Sequence, residues 1–137
     1  IPVFRRMIDG VDVVVGSRYV KGGEVVDSGF GHRILSWTAN LFNRLVLGLD
    51  VRDASGGFKL YRAGALESIG LDSVKSWGYS IGCEILYKLN RGGFEIREVP
   101  IVFRDRVRGE SKGTWRVILN YPFTVLRIRL SSILDGG

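Results

Sequence analysis

Hydrophobic and polar positions along the chain follow two periods, one typical of strands and the other typical of helices. Residues 11–17 form a β-branched run that ends in Gly-Ser, which predicts a buried parallel strand entering a loop. Residues 32–49 place apolar side chains at helical spacing and predict a helix with a broad buried face, ending near Gly48. Residues 55–62 alternate in hydrophobicity and predict a strand with one covered face.

The remaining segments continue this alternation of helix and strand patterns. They predict a glycine-rich loop at residues 18–31, helices at 63–71 and 79–93, a strand at 94–105 and a helical tail at 114–134. Pro100 is expected to bend the strand, and Pro122 is expected to interrupt the tail. Strands that alternate with helices predict an α/β fold in which helices cover the faces of a sheet.

The charge of the chain points to an anionic partner. The 137 residues are 45% hydrophobic, which is enough for one domain with a core of its own. The formal net charge is +6, and residues 104–129 hold seven basic residues against two acidic ones. Nucleic acid, phosphorylated small molecules and acidic lipid headgroups all fit this surplus, and the partner is expected to meet the C-terminal part.

Cysteine and histidine are too few for two common kinds of site. Cys83 is the single cysteine and His32 the single histidine, which excludes an internal disulfide and a zinc cluster. No apolar run is long enough to span a bilayer. The first ten residues resemble the end of a helix and lack an initiator Met, so we expect a fragment of a longer protein.

The segment 105–115, DRVRGESKGTW, concentrates cations around flexible backbone. Arg106 can fork onto two phosphate oxygens, and Lys112 supplies a mobile point charge. Gly109 and Gly113 allow backbone N–H groups to approach a ligand closely. The segment therefore suits a phosphate or diphosphate, although a solvated loop with local ion pairs fits the same residues equally well.

A second group of candidate phosphate ligands follows the first predicted strand. Ser17 and Arg18 lie at its C-terminal end, where open α/β sheets usually bind ligands. His32 and Arg33 open the long helix, whose N–H groups and macrodipole favour an anion. Ser36 is expected one turn further on, on the same face as His32.

These residues also have ordinary structural interpretations. Arg18 can cap a backbone carbonyl or pair with Asp12 or Asp27 instead of binding a ligand. A single histidine such as His32 is more often a packing or surface residue.

Two carboxylates in apolar surroundings are predicted to orient other groups. Asp53 can hold the turn that follows it through side-chain to backbone bonds. Glu84 lies on a predicted helix and, if it faces inward, is expected to pair with an arginine. Residues 78–82, GYSIG, match the nucleophile elbow of hydrolases, but the preceding residues do not read as a strand and no histidine follows. We therefore reject Ser80 as a nucleophile.

The helical tail has two interpretations. Trp115, Tyr121 and Phe123 on one side, with arginines around them, suit a helix that lies on a membrane surface. A terminal helix packed on the sheet fits the pattern as well.

Three blocks of the sequence, taken in order, resemble a known enzyme family. DVVVGSRYVKGG, HRILSWTANLFNRLVLGLDVRDASGGFKLYR and GFEIREVPIVFRDRVRGESK are similar to the C-terminal half of dolichol-phosphate mannosyltransferases, over residues 11–112. The resemblance implies the C-terminal portion of a GT-A (Rossmann-like) glycosyltransferase fold of family 2, with a mixed sheet flanked by helices. Residues 1–113 would form the acceptor-side part of the catalytic domain, and 114–137 an amphipathic tail at the membrane interface.

The resemblance also implies a reaction and its participants. It is the inverting transfer of a hexose, foremost mannose from GDP-mannose, onto a dolichyl or polyprenyl phosphate. A divalent metal, Mg or Mn, would be held by residues upstream of Ile1, so the chain alone is expected to be inactive. The intact enzyme is expected at the cytoplasmic face of a membrane as a peripheral protein, with no nucleic-acid partner.

Individual residues correspond to the motifs of that family. Arg18 and Arg106 match its phosphate-contacting arginines and are the expected catalytic residues. Ser36 matches the serine that grips the lipid phosphate, and Lys112 matches the lysine of the G-E-S-K block. His32 stands where the family has an arginine, and Arg33 beside it is expected to compensate for that difference.

Departures from the family leave alternatives open. GYSIGCE at residues 78–84 replaces the family's G-Y-x-F-Q-x-E, so a glucosyl or N-acetylhexosaminyl transferase is a rival prediction. A basic nucleic-acid-binding module and a non-catalytic membrane-surface module are further rivals. The nucleic-acid module requires exposed aromatic rings, whereas Phe58, Phe94 and Phe103 are expected to face the core.

Overall fold

The computed structural model describes residues 2–78, 80–104 and 114–135. Helices and strands alternate along these residues, as the sequence predicts. In chain order they are α1 (Pro2–Ile8), β1 (Val13–Ser17), β2 (Glu24–Val26), α2 (Phe30–Leu47), β3 (Lys59–Tyr61), α3 (Ala63–Ile69), a 3-10 helix (Leu71–Ser73), α4 (Ser80–Arg91), β4 (Ile96–Pro100), β5 (Val102–Arg104) and α5 (Thr114–Asp135).

The central sheet is mixed, with strand order β3-β1-β4. β1 pairs in parallel with β4 and antiparallel with β3, and every residue of β1 is buried. Because side chains alternate along a strand, Val13 and Val15 enter one core cluster and Val14 enters another on the opposite face. The predicted mixed sheet flanked by helices is confirmed, as is the buried parallel strand within residues 11–17.

The two faces of the sheet are covered by different helices. Leu47 of α2, Leu86 of α4 and Val125 of α5 belong to the larger cluster. Phe4 of α1 belongs to the smaller one, where it packs with Val14. No helix in the described part of the chain combines the length and the hydropathy needed to cross a bilayer.

A second, two-stranded sheet lies at the C-terminal end of β1. β2 and β5 pair in parallel there. β2 lies in the segment predicted as a glycine-rich loop, whereas β5 lies in the predicted strand of residues 94–105. Ile101 connects the two sheets, because its N–H donates to the carbonyl of Ser17 and its own carbonyl accepts from Glu24. The predicted bend at Pro100 is thus confirmed: β4 ends at that residue and β5 begins two positions later.

Three sequence predictions, about the continuity of α5, the covered faces of β3 and the burial of two phenylalanines, are wrong. α5 continues through Pro122, which removes one backbone donor without ending the helix. β3 is covered on both faces, since Leu60 packs on the smaller cluster and Tyr61 on the larger. Phe58 and Phe103 are exposed by 47% and 42%, so the expectation that they face the core fails.

The tail also distributes its aromatic residues differently from the prediction. Tyr121 packs on the larger cluster and Phe123 is exposed, because two helical positions lie about 200° apart. The division at residue 113 between a catalytic part and a tail stays a prediction.

The buried face of α2 is narrower and more polar than predicted. Asn40, Asn43 and Leu47 are its buried residues, whereas Trp37 and Leu45 are exposed by 57% and 75%. The helix therefore turns much of its apolar surface outward.

Candidate functional site

Arg18 is fixed at the end of β1 by a carboxylate from a distant loop. Its Nε lies 2.8 Å from Oδ2 of Asp53, and its Nη2 lies 2.7 Å from Oδ1, which is the bidentate geometry of a strong ion pair. The backbone N–H of Arg18 also donates to Asp53 Oδ2, at 2.9 Å. The sequence had suggested Asp12 or Asp27 as the alternative partner of Arg18, and the structure gives Asp53 instead.

Asp53 is completely buried and forms a hydrogen bond with the turn that follows it. Its Oδ1 accepts the backbone N–H of Gly56 at 3.1 Å, which confirms the predicted turn contact. Burial alone would raise the pKa of Asp53, but hydrogen bonds from Arg18 and the charges of Arg18 and Lys59 outweigh it and lower the pKa. The carboxylate is therefore ionised at neutral pH and holds Arg18 in place.

The polypeptide around Asp53 is held by two residues that sequence reasoning missed. Glu98 of β4 accepts the N–H groups of Arg52 and Asp53 with Oε1, each at 3.0 Å. Asn40 of α2 donates to Asp53 Oδ1 at 3.3 Å and accepts the N–H of Ser55 at 3.0 Å. These contacts connect α2 and β4 to one loop, so the position of the carboxylate depends on both elements.

Ser36 of α2 lies within hydrogen-bond distance of Arg18. Its Oγ is 3.2 Å from Arg18 Nη2 and accepts the hydroxyl of Tyr19 at 2.8 Å. The guanidinium carbon of Arg18 also lies 5.3 Å from the centre of the Tyr19 ring and 5.5 Å from that of Phe103. Tyr19 was missed, although its place next to Arg18 in the G-S-R-Y block marked it as a neighbour.

Four of the predicted phosphate ligands line one small cavity of about 170 Å³, here called the helix-entry cavity. They are Arg18, His32, Arg33 and Ser36. Arg33 reaches across it and donates from Nη2 to the carbonyl of Val25, at 2.6 Å. Side chains from the end of β1 and from the first two turns of α2 thus meet at one cavity, and their predicted role in binding phosphate stays a prediction.

A much larger cavity of about 1330 Å³, here called the broad cavity, adjoins this site. Arg18 and Phe103 line both cavities, and Gly56, Lys59 and Gly82 line the broad one only. Arg18 therefore lies between the helix-entry cavity and the broad cavity.

Lys59 is a second cation of the broad cavity, and sequence reasoning missed it. Burial lowers the pKa of its ammonium group, and the charge of Asp53 offsets part of that effect. Its Nζ donates to the carbonyl of Gly56. A Cβ at Gly82 would lie 3.1 Å from this Nζ, so the small residue in GYSIGCE leaves space that the lysine uses.

Two predicted site residues are placed elsewhere. Ser17 is fully buried, lines neither cavity, and accepts the N–H of Tyr19 at 3.3 Å, so it supports the turn instead of meeting a ligand. Glu84 pairs with Lys88 at 3.4 Å and not with an arginine.

Glu84 also holds the segment before α4. Its carboxylate accepts the N–H groups of Lys75 and Ser76 at 3.2 and 2.8 Å. Burial would raise the pKa of Glu84, but these hydrogen bonds and the charge of Lys88 lower it. Ser80 begins α4, after residues 74–78 that form no strand, and its hydroxyl donates to the carbonyl of Trp77 at 2.8 Å.

Arg106 and Lys112 lie outside the described residues, and their assignment stays a prediction. The strand that precedes them does reach the site. β5 carries Phe103, which packs against the guanidinium of Arg18, and ends at Arg104 opposite Val26.

The described residues do not provide a metal site. Among residues 2–78, 80–104 and 114–135, no group of three or more His, Cys, Asp or Glu side chains is placed to hold a metal ion. Asp53, the carboxylate beside Arg18, is already neutralised by that guanidinium. The divalent metal implied by the resemblance therefore does not fit these residues, and its expected ligands upstream of Ile1 stay a prediction.

Comparison with known proteins relates the chain to mannosyltransferases that act on lipid phosphates. No protein-family model matches the chain. It is 35% identical over 134 residues to an undecaprenyl-phosphate mannosyltransferase of Micrococcus luteus, an alignment that covers 96% of the chain and 55% of that protein. It is 36% identical over 126 residues to a polyprenol monophosphomannose synthase of Mycolicibacterium smegmatis, covering 92% of the chain and 48% of that protein.

A third relative is archaeal. The chain is 34% identical over 122 residues to a dolichol-phosphate mannosyltransferase of Pyrococcus furiosus, covering 88% of the chain and 33% of that protein. The chain thus spans about half the length of the first two relatives and a third of the last. The resemblance seen in the three sequence blocks is confirmed. The chain is therefore related to the polyprenyl-phosphate mannosyltransferases, and its mixed sheet flanked by helices accords with part of a GT-A fold.

Proposed function

We propose that the full-length protein transfers mannose from GDP-mannose to a polyprenyl or dolichyl phosphate, and that this chain supplies the acceptor-phosphate site. The observation that carries the proposal is the helix-entry cavity, where Arg18, Arg33, His32 and Ser36 meet. The names of the three relatives supply the lipid phosphate and the sugar.

The start of α2 supports an anion in the helix-entry cavity. Gly29 is the N-cap residue and provides no side-chain cap, so the first N–H groups of this 18-residue helix keep their capacity to donate. The helix macrodipole adds partial positive charge at the same place. Arg33 and Ser36 add a guanidinium and a hydroxyl within the first two turns. This set of donors suits a phosphate monoester better than a neutral group.

The proposed reaction needs little proton transfer. A lipid phosphate is already ionised at neutral pH, and one of its oxygens attacks the anomeric carbon while the bond to the nucleoside diphosphate breaks. Attack on the face opposite the leaving group inverts the configuration. The main task of the protein is to stabilise negative charge on two phosphate-bearing molecules that approach each other. Arg18 suits this task because it lines both the helix-entry cavity and the broad cavity.

We assign the acceptor phosphate to the helix-entry cavity and the sugar diphosphate to the broad cavity. Lys59 is then a second cation beside the leaving group. A divalent metal bound by residues outside this chain would neutralise further charge on the diphosphate.

A membrane surface is the proposed location, because two helices present apolar stripes to the outside. On α2 the stripe is formed by Phe30, Ile34, Trp37, Leu41 and Leu45, all at least 37% exposed. On α5 it is formed by Leu119, Phe123, Leu126, Leu130 and Ile133, all at least 43% exposed. Both stripes follow helical spacing, as expected for helices that lie at a lipid interface. A peripheral position at the cytoplasmic face would bring the acceptor phosphate to the helix-entry cavity.

The sequence disfavours a nucleic-acid-binding module because the aromatic rings are expected to face the core. That expectation fails, since Phe58 and Phe103 are exposed. The nucleic-acid alternative is nevertheless not favoured, since the three relatives act on polyprenyl or dolichyl lipids by their names.

The test is an activity assay of the full-length protein with polyprenyl phosphate and a panel of nucleotide sugars. GDP-mannose is expected to be the preferred donor, and preference for a glucose or N-acetylhexosamine donor would instead support the rival transferases. Arg33→Gln is expected to raise the KM for polyprenyl phosphate about tenfold or more, because a charge-assisted contact is lost. Arg6→Gln, an exposed charge on α1, is the matched control. If the two substitutions change the KM for polyprenyl phosphate equally, the helix-entry cavity does not bind the acceptor phosphate.

A further inference from the structure

Two arginines from different helices converge on one tyrosine hydroxyl where α4 meets α5. Nη1 of Arg91 lies 3.3 Å from the hydroxyl oxygen of Tyr87, and Nη1 of Arg129 lies 3.1 Å from the same oxygen. Ser132 Oγ lies 2.5 Å from that oxygen and 3.2 Å from Arg91 Nη1. None of these four residues lines the helix-entry cavity or the broad cavity.

The cluster holds two positive charges without a carboxylate partner in the described part of the chain. The ion pairs found there join Arg18 to Asp53, Lys88 to Glu84 and Arg97 to Glu95, and none includes Arg91 or Arg129. Two guanidinium groups that share one oxygen repel each other, and an anion between them relieves that repulsion.

The tyrosine provides a rigid centre for the cluster. Its ring is buried in the larger core cluster, with 2% of the residue exposed, while Arg91 and Arg129 are exposed. Burial would raise the pKa of Tyr87, but hydrogen bonds from Ser132, Arg91 and Arg129 outweigh it and lower the pKa. The hydroxyl thus lies in a positive environment.

We propose that Tyr87, Arg91, Arg129 and Ser132 form a second binding site, which takes a phosphate group. Each guanidinium carries five N–H donors in a planar fork, and the hydrogen bonds described for the two groups use Nη1 alone. The guanidinium carbon of Arg91 also lies 5.9 Å from the centre of the Tyr87 ring. A phosphate group offers several oxygens and can accept from both guanidinium forks at once. The Tyr87 hydroxyl, which shares a hydrogen bond with Ser132, holds the two forks together. The assignment is independent of the proposed transferase activity, because it shares no residue with that site.

The position of the site suggests a source for the phosphate. Arg129 lies between Leu126 and Leu130 in the sequence of α5, next to the exposed apolar stripe of that helix. A phospholipid headgroup would reach the cluster while its acyl chains meet the stripe. A soluble phosphate is the other source of the same chemistry, and the experiment separates the two.

The lipid arm compares two kinds of vesicle that carry the same surface charge. Phosphatidylcholine vesicles receive either phosphatidic acid or oleate, matched in zeta potential, and binding of the full-length protein is measured by flotation. Wild-type protein is expected to prefer phosphatidic acid about tenfold, since forked guanidinium groups match phosphate geometry. The double variant Arg91→Gln/Arg129→Gln is expected to lose this preference. Arg116→Gln/Arg127→Gln removes the same charge from exposed positions of α5 and is expected to keep it.

A third variant separates a built site from general attraction between charges. Tyr87→Phe removes only the hydroxyl that both guanidinium groups contact and leaves the net charge and the buried ring in place. General attraction predicts no change in the preference, whereas the proposed site predicts a clear decrease. Circular dichroism and the melting temperature check that each variant is folded.

The soluble arm measures how far inorganic phosphate raises the melting temperature of each protein. Loss of the vesicle preference in Arg91→Gln/Arg129→Gln supports a lipid headgroup. If Arg91→Gln/Arg129→Gln keeps the vesicle preference but phosphate raises its melting temperature less than that of Arg116→Gln/Arg127→Gln, the ligand is a soluble phosphate. If both double variants behave alike in both arms, the second site is refuted.

Discussion

Arg18 and Asp53, 35 residues apart in the sequence, form a bidentate ion pair at the C-terminal end of β1. The carboxylate is completely buried, and the side chain of the arginine is 14% exposed. A flexible cation is thereby fixed between the helix-entry cavity and the broad cavity. The guanidinium also neutralises the carboxylate of Asp53, whose burial as an unpaired charge would destabilise the fold.

Breaking this ion pair is expected to destabilise the protein substantially. Asp53→Asn keeps the size of the side chain but leaves the guanidinium of Arg18 without its counter-charge. Loss of one partner of a buried pair costs about 3 kcal/mol or more. Urea denaturation of the full-length protein measures the change, with Asp50→Asn, an exposed aspartate nearby, as the control. A loss no larger than that of the control would show that the pair contributes little.

The contribution of Asp53 to stability is expected to depend on pH in the acid range. The pKa of Asp53 is lower in the folded protein than in the unfolded chain, so the folded state binds this proton less readily. The carboxylate therefore stabilises the fold above its unfolded pKa of about 4, and this contribution is lost as the pH falls through the lower folded value. The difference in unfolding free energy between wild type and Asp53→Asn should shrink below about pH 4. A difference that grows on acidification would contradict the lowered pKa.

The succession of elements could be predicted from hydrophobic periodicity, but their exposed faces could not. The helix predicted over 32–49 is observed at Phe30–Leu47, and its predicted end at Gly48 is a left-handed C-cap. Periodicity shows that a helix has two faces but does not show which one meets water. On α2 the buried side carries Asn40 and Asn43, because the first bonds the Asp53 loop and the second bonds Tyr121.

The candidate site was predictable in part for a similar reason. Motif blocks pointed to Arg18, Arg33 and Ser36, which the structure brings together. Lys59 and Glu98 carry no local pattern, since their roles depend on strands that pair only in the folded chain. Long-range partners of this kind have no signature in the spacing of residues.

The turn after β1 is expected to tolerate no side chain at Gly23. An added Cβ would lie 2.5 Å from the carbonyl oxygen of Ser17 and 2.7 Å from the carbonyl carbon of Arg18, and backbone atoms cannot move aside easily. Gly23→Ala should therefore destabilise the protein by about 2 kcal/mol and lower transferase activity, because Arg18 is displaced. Gly64→Ala, where nothing lies within 4 Å of the new Cβ, is the matched control. Similar melting temperatures for the two variants would contradict the close approach.

The apolar stripe of α5 is expected to contribute to membrane binding without contributing to folding. Phe123 and Leu130 are exposed by 72% and 58%, whereas Val125 on the opposite face is fully buried. Phe123→Ser/Leu130→Ser should weaken binding of the full-length protein to neutral phosphatidylcholine vesicles about tenfold or more, since each exposed apolar side chain that enters lipid contributes roughly 1 kcal/mol or more. The melting temperature should stay close to that of wild type. Leu71→Ser, which alters a 52% exposed leucine on the 3-10 helix, is the control and should leave vesicle binding unchanged. Equal binding by the double variant and wild type would show that this face of α5 does not meet the membrane.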